Sequence, residues 1–333
     1  MSIVRETATL ITFAVFFLAP HCQVLAGESN GQESLASWKV LKGEPSRADL
    51  FKRIIEARRE EDAKLSDGSS KTLGLKGPFT FPKDVGFDDV LGKPRTNSIF
   101  GIDISHHTKD GLKIGLLRQQ GVRFVYAKAT QGVGFKDGKF AGYWKELADL
   151  PESKHVFRGA YHFLSSSSPG AAQADSFVRF MKANGGFRPT DLPPVVDLEW
   201  DITDKSGRDR WSDSQPDDIL RNVLDWVQAV ESASQKKPII YTARSWWRER
   251  IGSDEKFAKL NGYKIWIADY SRSARAIEEP GVPGNSKYHL WQFTDGSKLP
   301  SVYPSSLDAN IYKGSETEFA TDFQLKETAK RND

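Results

Sequence analysis

Thiol chemistry is almost absent from this sequence. Cys22 is its single cysteine, and it lies in an N-terminal segment that we expect to be removed. A chain with one cysteine cannot form an internal disulfide, and without Cys22 it has no thiolate for zinc binding or nucleophilic attack. The sequence therefore excludes disulfide-stabilised folds and cysteine-based catalysis, and the hydrophobic core must stabilise the protein.

A strong charge imbalance is also lacking. The chain has 47 Lys and Arg residues against 44 Asp and Glu residues, a net charge of +3 spread along its length. This mild excess does not form the basic patch that a nucleic-acid partner requires, so we expect none. No apolar run reaches the roughly 20 residues that cross a bilayer. We expect a monomer with no stable membrane insertion once its leader is cleaved.

The first 26 residues have the pattern of a secretory signal peptide. Arg5 precedes an apolar stretch over residues 10–19, and small residues lead to Ala26. This order of a charged, an apolar and a small-residue region is typical of a cleaved leader. We therefore expect export to the periplasm or the extracellular space. An uncleaved membrane anchor and a lipidated Cys22 remain as alternatives.

Composition divides the rest of the chain into three parts. Residues 27–95 are polar and rich in Gly, Pro and Ser, with one charged helical stretch, and are expected to form an N-terminal extension. Residues 96–316 alternate between β-rich runs and amphipathic helical stretches and are predicted to form the folded domain. Residues 317–333 are expected to form a polar C-terminal tail.

The folded domain has the alternation of an α/β barrel. Eight β-rich runs lie at residues 99–104, 122–128, 157–163, 194–199, 238–242, 264–270, 288–293 and 307–312. Helical patterns lie between the first six runs, at residues 111–120, 139–150, 171–183, 216–234 and 245–260. The last two connections are rich in Pro, Gly and Ser, which favours loops and antiparallel final strands. The prediction is a TIM-like barrel of five βα units followed by three β-strands lacking crossover helices.

Acidic residues stand where such a barrel carries its chemistry, at the C-terminal ends of its strands. Asp103 ends the first run, and Asp197 and Glu199 end the fourth. Residues i and i+2 of a strand project to the same side, and their Cα atoms are about 6.6 to 6.8 Å apart. The carboxylates of Asp197 and Glu199 should therefore enter one cavity. Asp308 opens the eighth run and reaches this end only if its strand is antiparallel.

The pair formed by Asp197 and Glu199 suits general acid catalysis. Two carboxylates this close cannot both ionise easily, so the pKa of one should rise and that residue should keep its proton near neutral pH. Glu199 is longer and nearer the strand end, which favours it as proton donor with Asp197 assisting. A buried pair satisfied by arginine or backbone donors, without a catalytic role, is the alternative interpretation.

Several ordered motifs make the chain similar to glycoside hydrolase family 25, the Chalaropsis-type lysozymes or N-acetylmuramidases. They are GIDISHH, GVRFVYAKATQG, RGAYHF, LPPVVDLEW, PIIYTARSWW, IWIADY, LWQFTDG and LDANIYKGS. The resemblance implies hydrolysis of the β-1,4 bond between N-acetylmuramic acid and N-acetylglucosamine in peptidoglycan glycan strands, with no cofactor. It implies catalytic roles for Asp103, Asp197, Glu199 and Asp308, and a sugar cleft lined by Lys128, Tyr161, Tyr241 and Tyr270.

Two other classes of function stay open at this stage. The same fold could be an inactive module that only binds cell walls, because fold alone does not fix function. A metal-dependent polysaccharide deacetylase could use Asp103, His106 and His107 as ligands. Adjacent histidines on an extended loop are expected to point apart, so we expect no metal site here. A chitinase-like specificity is a third possibility, within the glycosidases.

Overall fold

The computed structural model describes residues 78–88, 92–202 and 207–325 of the 333-residue chain. The predicted signal peptide and most of the predicted N-terminal extension lie outside these residues. Eight strands form the barrel, and we number them β1 (Ser98–Ile104), β2 (Val122–Gln131), β3 (Phe157–Phe163), β4 (Val195–Leu198), β5 (Ile239–Ala243), β6 (Lys264–Ala268), β7 (Leu290–Leu299) and β8 (Tyr303–Lys313).

The sheet closes on itself. Strands β1 to β7 pair in parallel with their sequence neighbours, whereas β8 is antiparallel to both β7 and β1. This arrangement confirms the predicted TIM-like barrel and its antiparallel final strand. A two-residue strand, Phe135–Lys136, extends the sheet beside the end of β2, and Phe87–Asp88 pairs with Lys93–Pro94 in a separate small ribbon. Among the described residues, none of the helices has the length and apolar character needed to cross a membrane.

Helices cover the outside of the barrel. They are α1 (Phe140–Ala148), α2 (Gly170–Ala183), α3 (Pro216–Ser234), α4 (Arg244–Arg250), α5 (Arg272–Ile277) and α6 (Glu316–Asp322), with a single turn at Lys83–Gly86. Short 3-10 helices lie at Ile114–Leu116, Arg118–Gln120, Glu152–Lys154, Arg210–Asp213, Glu255–Leu260 and Pro283–Asn285. Helix α3 has the predicted bounds, since Pro216 suits the first turn and Gln235 ends the helix in a left-handed conformation.

Three connections differ in detail from the prediction. Residues 111–120 form two 3-10 turns rather than one helix, because Gly111 and Gly115 weaken a helix there. The predicted helix over 245–260 ends at Arg250, just before Gly252 with its positive φ of 69°, and resumes as a 3-10 helix. The connection at 271–287, predicted as a loop, contains α5, whose N-cap Ser271 accepts a hydrogen bond from the Ala274 amide.

The hydrophobic core includes residues that precede the predicted boundary at residue 96. Phe79 and Phe81 lie in the core, and the Phe79 ring stacks on Phe100 with centroids 5.0 Å apart. The Phe81 amide donates to the Lys298 carbonyl at 2.9 Å, and the Lys298 amide donates to the Phe79 carbonyl at 2.7 Å. The average composition of this Gly- and Pro-rich stretch does not reveal two buried aromatic residues, so the predicted boundary missed them.

The C-terminal boundary also lies later than predicted. Residues 317–325 belong to the fold rather than to a polar tail, because Phe319 and Phe323 of the α6 region are fully buried. A capping box between Ser315 and Glu318 starts this helix. The Phe319 ring stacks on Phe124 of β2, with centroids 5.2 Å apart. Two phenylalanines at i and i+4 form a narrow apolar stripe that the average polarity of the segment conceals.

The N-terminal boundary can be tested with one pair of substitutions. Phe81→Ala should lower the free energy of unfolding by about 3 to 5 kcal/mol, because it removes a fully buried ring from the core. Phe87→Ala is the matched control, since that ring is 41% exposed, and should change stability by about 0.5 kcal/mol or less. Chemical denaturation measures both. If the two substitutions lowered the free energy of unfolding equally, residues 78–82 would lie outside the core.

Candidate active site

Strand pairing brings Asp103 and Asp308 to the same end of the barrel. Because β8 runs antiparallel to β1, Asp308 lies directly opposite Asp103 in the register of the two strands. Asp103 is also opposite Tyr126 of β2 on its other side. Both carboxylates are buried. The antiparallel last strand, which the sequence required for Asp308 to reach this end, is therefore present.

The second pair of acids comes from β4. Asp197 lies between Phe163 of β3 and Tyr241 of β5 in the sheet register, and Glu199 follows the last residue of the strand. Asp197 is 6% exposed and Glu199 is 9% exposed, so both carboxyls are largely removed from water. Neither aspartate nor glutamate is commonly buried to this extent without pairing.

Burial and neighbouring charge change the protonation of this pair. Burial, then the negative charge of Glu199, raise the pKa of Asp197 well above its usual value. The negative charge of Asp103 adds to the rise, and the positive charge of Lys128 opposes it. Within the described part of the chain, Asp197 Oδ1 is buried and has no hydrogen-bond partner.

The sequence predicts a raised pKa for one member of this pair, and Asp197 has one. Because the negative charge of Glu199 contributes to that rise, the two carboxyls influence each other's protonation. Glu199 remains the member at the open end of the strand. This position keeps it the better placed of the two to pass a proton to a ligand.

Lys128 supplies a buried cation beside these acids. Its ammonium donates a hydrogen bond of 2.6 Å to Gln131 Oε1. The same ammonium lies 5.0 Å from the Phe163 ring centroid and 5.3 Å from that of Phe135, so aromatic faces hold it from two sides. Tyr161 is opposite Lys128 on the neighbouring strand and is partly exposed. The predicted sugar-binding role of both residues is compatible with this position.

Asp103 is held by two side-chain amides that sequence reasoning missed. Gln292 Nε2 and Asn310 Nδ2 each donate a hydrogen bond of 2.8 Å to Asp103 Oδ2. Asn310 stands two residues after Asp308 on β8, so the alternation that identified the Asp197 and Glu199 pair could have identified it too. Gln292 lies within the LWQFTDG motif, but no feature of that motif connects it with Asp103.

The tyrosines predicted to line the cleft are tied to the same network. The hydroxyl groups of Tyr241 and Tyr270 both donate to Gln292 Oε1, the former at 2.9 Å. Each side chain is only 7% exposed. Burial, with the nearby negative charges, raises the pKa of Tyr241 well above its usual value, so its hydroxyl stays protonated. Their hydroxyls therefore orient an amide beside Asp103.

The histidines considered as metal ligands have a different arrangement from the one expected. The rings of His106 and His107 do not point apart, because their centroids are 3.9 Å from each other. His106 Nδ1 lies 2.8 Å from Asp137 Oδ2, which also accepts from the His106 amide. In the described parts of the chain, no group of three or more His, Cys, Asp or Glu side chains could hold a metal ion.

The chain is similar to known proteins in both sequence and structure. A model of the family described as "Glycosyl hydrolases family 25" matches residues 102–302. Lysozyme M1 of Streptomyces globisporus is 29% identical over 231 residues, covering 68% of this chain and 71% of that protein. The N,O-diacetylmuramidase of Chalaropsis sp is 29% identical over 208 residues, covering 60% of this chain and 89% of that protein. A bacterial lysozyme structure from Streptomyces coelicolor aligns with a TM-score of 0.57 at 27% identity, covering 69% and 99% of the two chains.

The raised pKa of Asp197 makes a prediction about stability. An aspartate in the unfolded chain releases its proton near about pH 3.9, whereas the folded protein holds it to higher pH. Asp197 therefore favours folding at acidic pH, and this contribution is lost as pH rises toward the raised pKa. Asp197→Asn does not titrate. Its stability relative to wild type should increase from about pH 4 upward, by about 1.4 kcal/mol for each pH unit until the raised pKa is passed.

Denaturation curves at several pH values measure this difference. Asp175→Asn, at an exposed position on α2, is the matched control and should show no such trend relative to wild type. A stability difference for Asp197→Asn that is constant with pH would contradict a raised pKa at Asp197.

Proposed function

The chain belongs to glycosyl hydrolases family 25, and from that premise we propose that it is an exported muramidase that cleaves peptidoglycan. Membership of this family makes the protein a glycoside hydrolase. The proposed reaction is hydrolysis of the β-1,4 bond between N-acetylmuramic acid and N-acetylglucosamine. The observation that carries the proposal is the convergence of four buried acids, Asp103, Asp197, Glu199 and Asp308, at one end of the barrel.

In the proposed mechanism Glu199 is the general acid. It would protonate the glycosidic oxygen as the bond to the leaving sugar breaks, and the coupled pair with Asp197 would retain that proton near neutral pH. Asp197 would assist from the next inward position of the strand. Asp103 and Asp308 would add negative charge opposite this pair, which favours the positive charge that develops on the sugar ring during glycoside cleavage.

The proposed sugar cleft uses the residues around these acids. Tyr161 lies on β3, next to the strand of Asp197, and Lys128 lies on β2, one strand further along the sheet. Two phenylalanine rings flank the Lys128 ammonium. Tyr241 and Tyr270 are proposed to form the cleft wall on the other side with the edges of their rings. Their hydroxyls donate hydrogen bonds to Gln292 Oε1. Peptidoglycan glycan strands are the proposed partner, and no cofactor is required by this chemistry.

Export is part of the proposal because the substrate lies outside the cytoplasm. The leader pattern that ends at Ala26 supports it, and periplasmic or extracellular localisation follows from the same pattern. The relatives whose names describe lysozymes and N,O-diacetylmuramidases support the proposed substrate class.

The general acid can be tested by one isosteric change. Glu199→Gln keeps the volume of the side chain but has no acidic proton, so release of dye from labelled cell walls should fall by about 10²- to 10⁴-fold. Binding to the walls should persist. Glu146→Gln, on the exposed face of α1, is the matched control and should keep wild-type activity. A wild-type protein that binds walls without dissolving them would instead indicate an inactive binding module.

The cleaved bond can be identified from the products. Mass spectrometry of wall digests should find the new reducing end on N-acetylmuramic acid, and digestion should be unchanged by a chelator. A reducing end on N-acetylglucosamine would contradict the proposed bond. Loss of acetyl groups in place of chain cleavage, together with sensitivity to the chelator, would indicate a metal-dependent deacetylase.

A further inference from the structure

We propose that Trp266, Asn310 and Gln292 act as positioning residues, which fix the carboxyl group of Asp103 in one orientation. We call these three side chains the Asp103 clamp. None of them is among the acids or sugar-binding residues assigned above. The inference rests on the proposed function, because it concerns the state of Asp103 in that active site.

Trp266 determines which end of the Asn310 amide faces Asp103. The indole N–H can only donate, and it donates a hydrogen bond of 2.9 Å to Asn310 Oδ1. Reversing the amide would oppose two N–H groups and leave a buried donor without an acceptor. The Asn310 NH₂ group therefore points to Asp103 Oδ2, at 2.8 Å.

The two tyrosines fix Gln292 in the same manner. Their hydroxyls converge on Gln292 Oε1, which leaves the NH₂ group of this side chain to donate to Asp103 Oδ2. Because the pKa of Tyr241 is raised, its hydroxyl does not lose its proton over the working pH range. The orientation of Gln292 is thus independent of pH near neutrality.

Both amide NH₂ groups therefore point at one oxygen atom of Asp103. Asp103 Oδ2 accepts N–H groups from both amides, and neither NH₂ group can accept a proton in return. Donors aimed at a carboxylate favour its charged form. Trp266, Asn310 and Gln292 are 2%, 0% and 4% exposed, so water cannot replace these hydrogen bonds. The clamp thereby holds the Asp103 carboxyl in one place near the pair formed by Asp197 and Glu199.

The Asp103 carboxyl matters to the proton on the pair. The charge of Asp103 is one of the causes that raise the pKa of Asp197, although burial and Glu199 contribute more. A neutral or misplaced Asp103 would make it easier for the pair to lose the proton that the proposed mechanism uses. The clamp is therefore expected to affect turnover and not only the stability of the barrel.

Trp266→Phe tests the clamp with little change in packing. The centroid of the Trp266 ring lies 5.0 Å from that of Tyr126 and 5.1 Å from that of Tyr241. A phenyl ring at this position preserves most of these contacts. The substitution removes the N–H that orients Asn310. Trp291→Phe is the matched control, because Trp291 is also fully buried on a neighbouring strand and its indole donates to the Asp269 carbonyl instead.

With Trp266→Phe, Asn310 can present its oxygen to Asp103, so the Asp103 carboxyl loses one of the two donors that fix it. The kcat for wall cleavage should fall by about tenfold, as loss of one hydrogen bond to a carboxyl implies, while KM stays within about twofold of the wild-type value. Trp291→Phe should keep the wild-type kcat and KM even if its melting temperature falls by a similar amount. A wild-type kcat in Trp266→Phe would overturn the proposal.

A measurement without activity separates this inference from the proposed function. In full-length, isotope-labelled protein, the side-chain N–H signals of Asn310 and Gln292 should both change in Trp266→Phe, because both groups bond the same carboxylate oxygen. Trp291→Phe should leave both signals at their wild-type positions. This result would support the clamp even if the wild-type protein did not cleave walls, whereas wild-type Asn310 and Gln292 signals in Trp266→Phe would overturn it.

Asn310→Asp provides a second variant if Trp266→Phe does not fold. It preserves the shape of the side chain but places a second carboxylate against Asp103, so the two oxygens must share a proton. Turnover near neutral pH should fall by about tenfold or more, because one of the two donors that fix Asp103 is lost. Wild-type turnover in a folded Asn310→Asp protein would contradict the proposed clamp.

Discussion

The central physical constraint in this protein is the burial of four carboxylates at one end of a barrel. Charged groups are expensive to remove from water, and like charges near one another add to that cost. The structure offsets it in two ways. Asp103 receives two amide donors, whereas Asp197 has a raised pKa that favours its protonated form. Chemically similar residues are thus accommodated differently because their surroundings differ.

The part of the fold and site that the sequence predicts is the part encoded by short-range periodicity. Strand runs, the bounds of α3 and the shared side of Asp197 and Glu199 all follow from spacing within one element. The contacts that fix Asp103 could not be predicted in this manner, because Gln292 and Asn310 are 189 and 207 residues away from it in the chain. Only the closure of the barrel brings them together.

The boundaries of the barrel show a second limit of sequence reasoning. Phe81 and Phe319 are fully buried, yet each stands in a segment whose average composition is polar. One aromatic side chain can bury as much apolar surface as several small residues, and it does so wherever a gap in the core accepts it. Composition measures a segment as a whole, whereas packing depends on single side chains.

The reversal of the last strand connects the fold with the chemistry. In a barrel with eight parallel strands, the C-terminal end of each strand carries the functional residues, and in a parallel β8 Asp308 would lie further from that end than Asn310. Here β8 is antiparallel, so its earlier residue Asp308 lies opposite Asp103 and Asn310 follows two positions further along the same strand. One strand thus supplies an acid and the amide that orients another acid. Replacing the eighth βα unit by a hairpin therefore adds to the site two polar groups that a parallel strand with the same sequence could not place there.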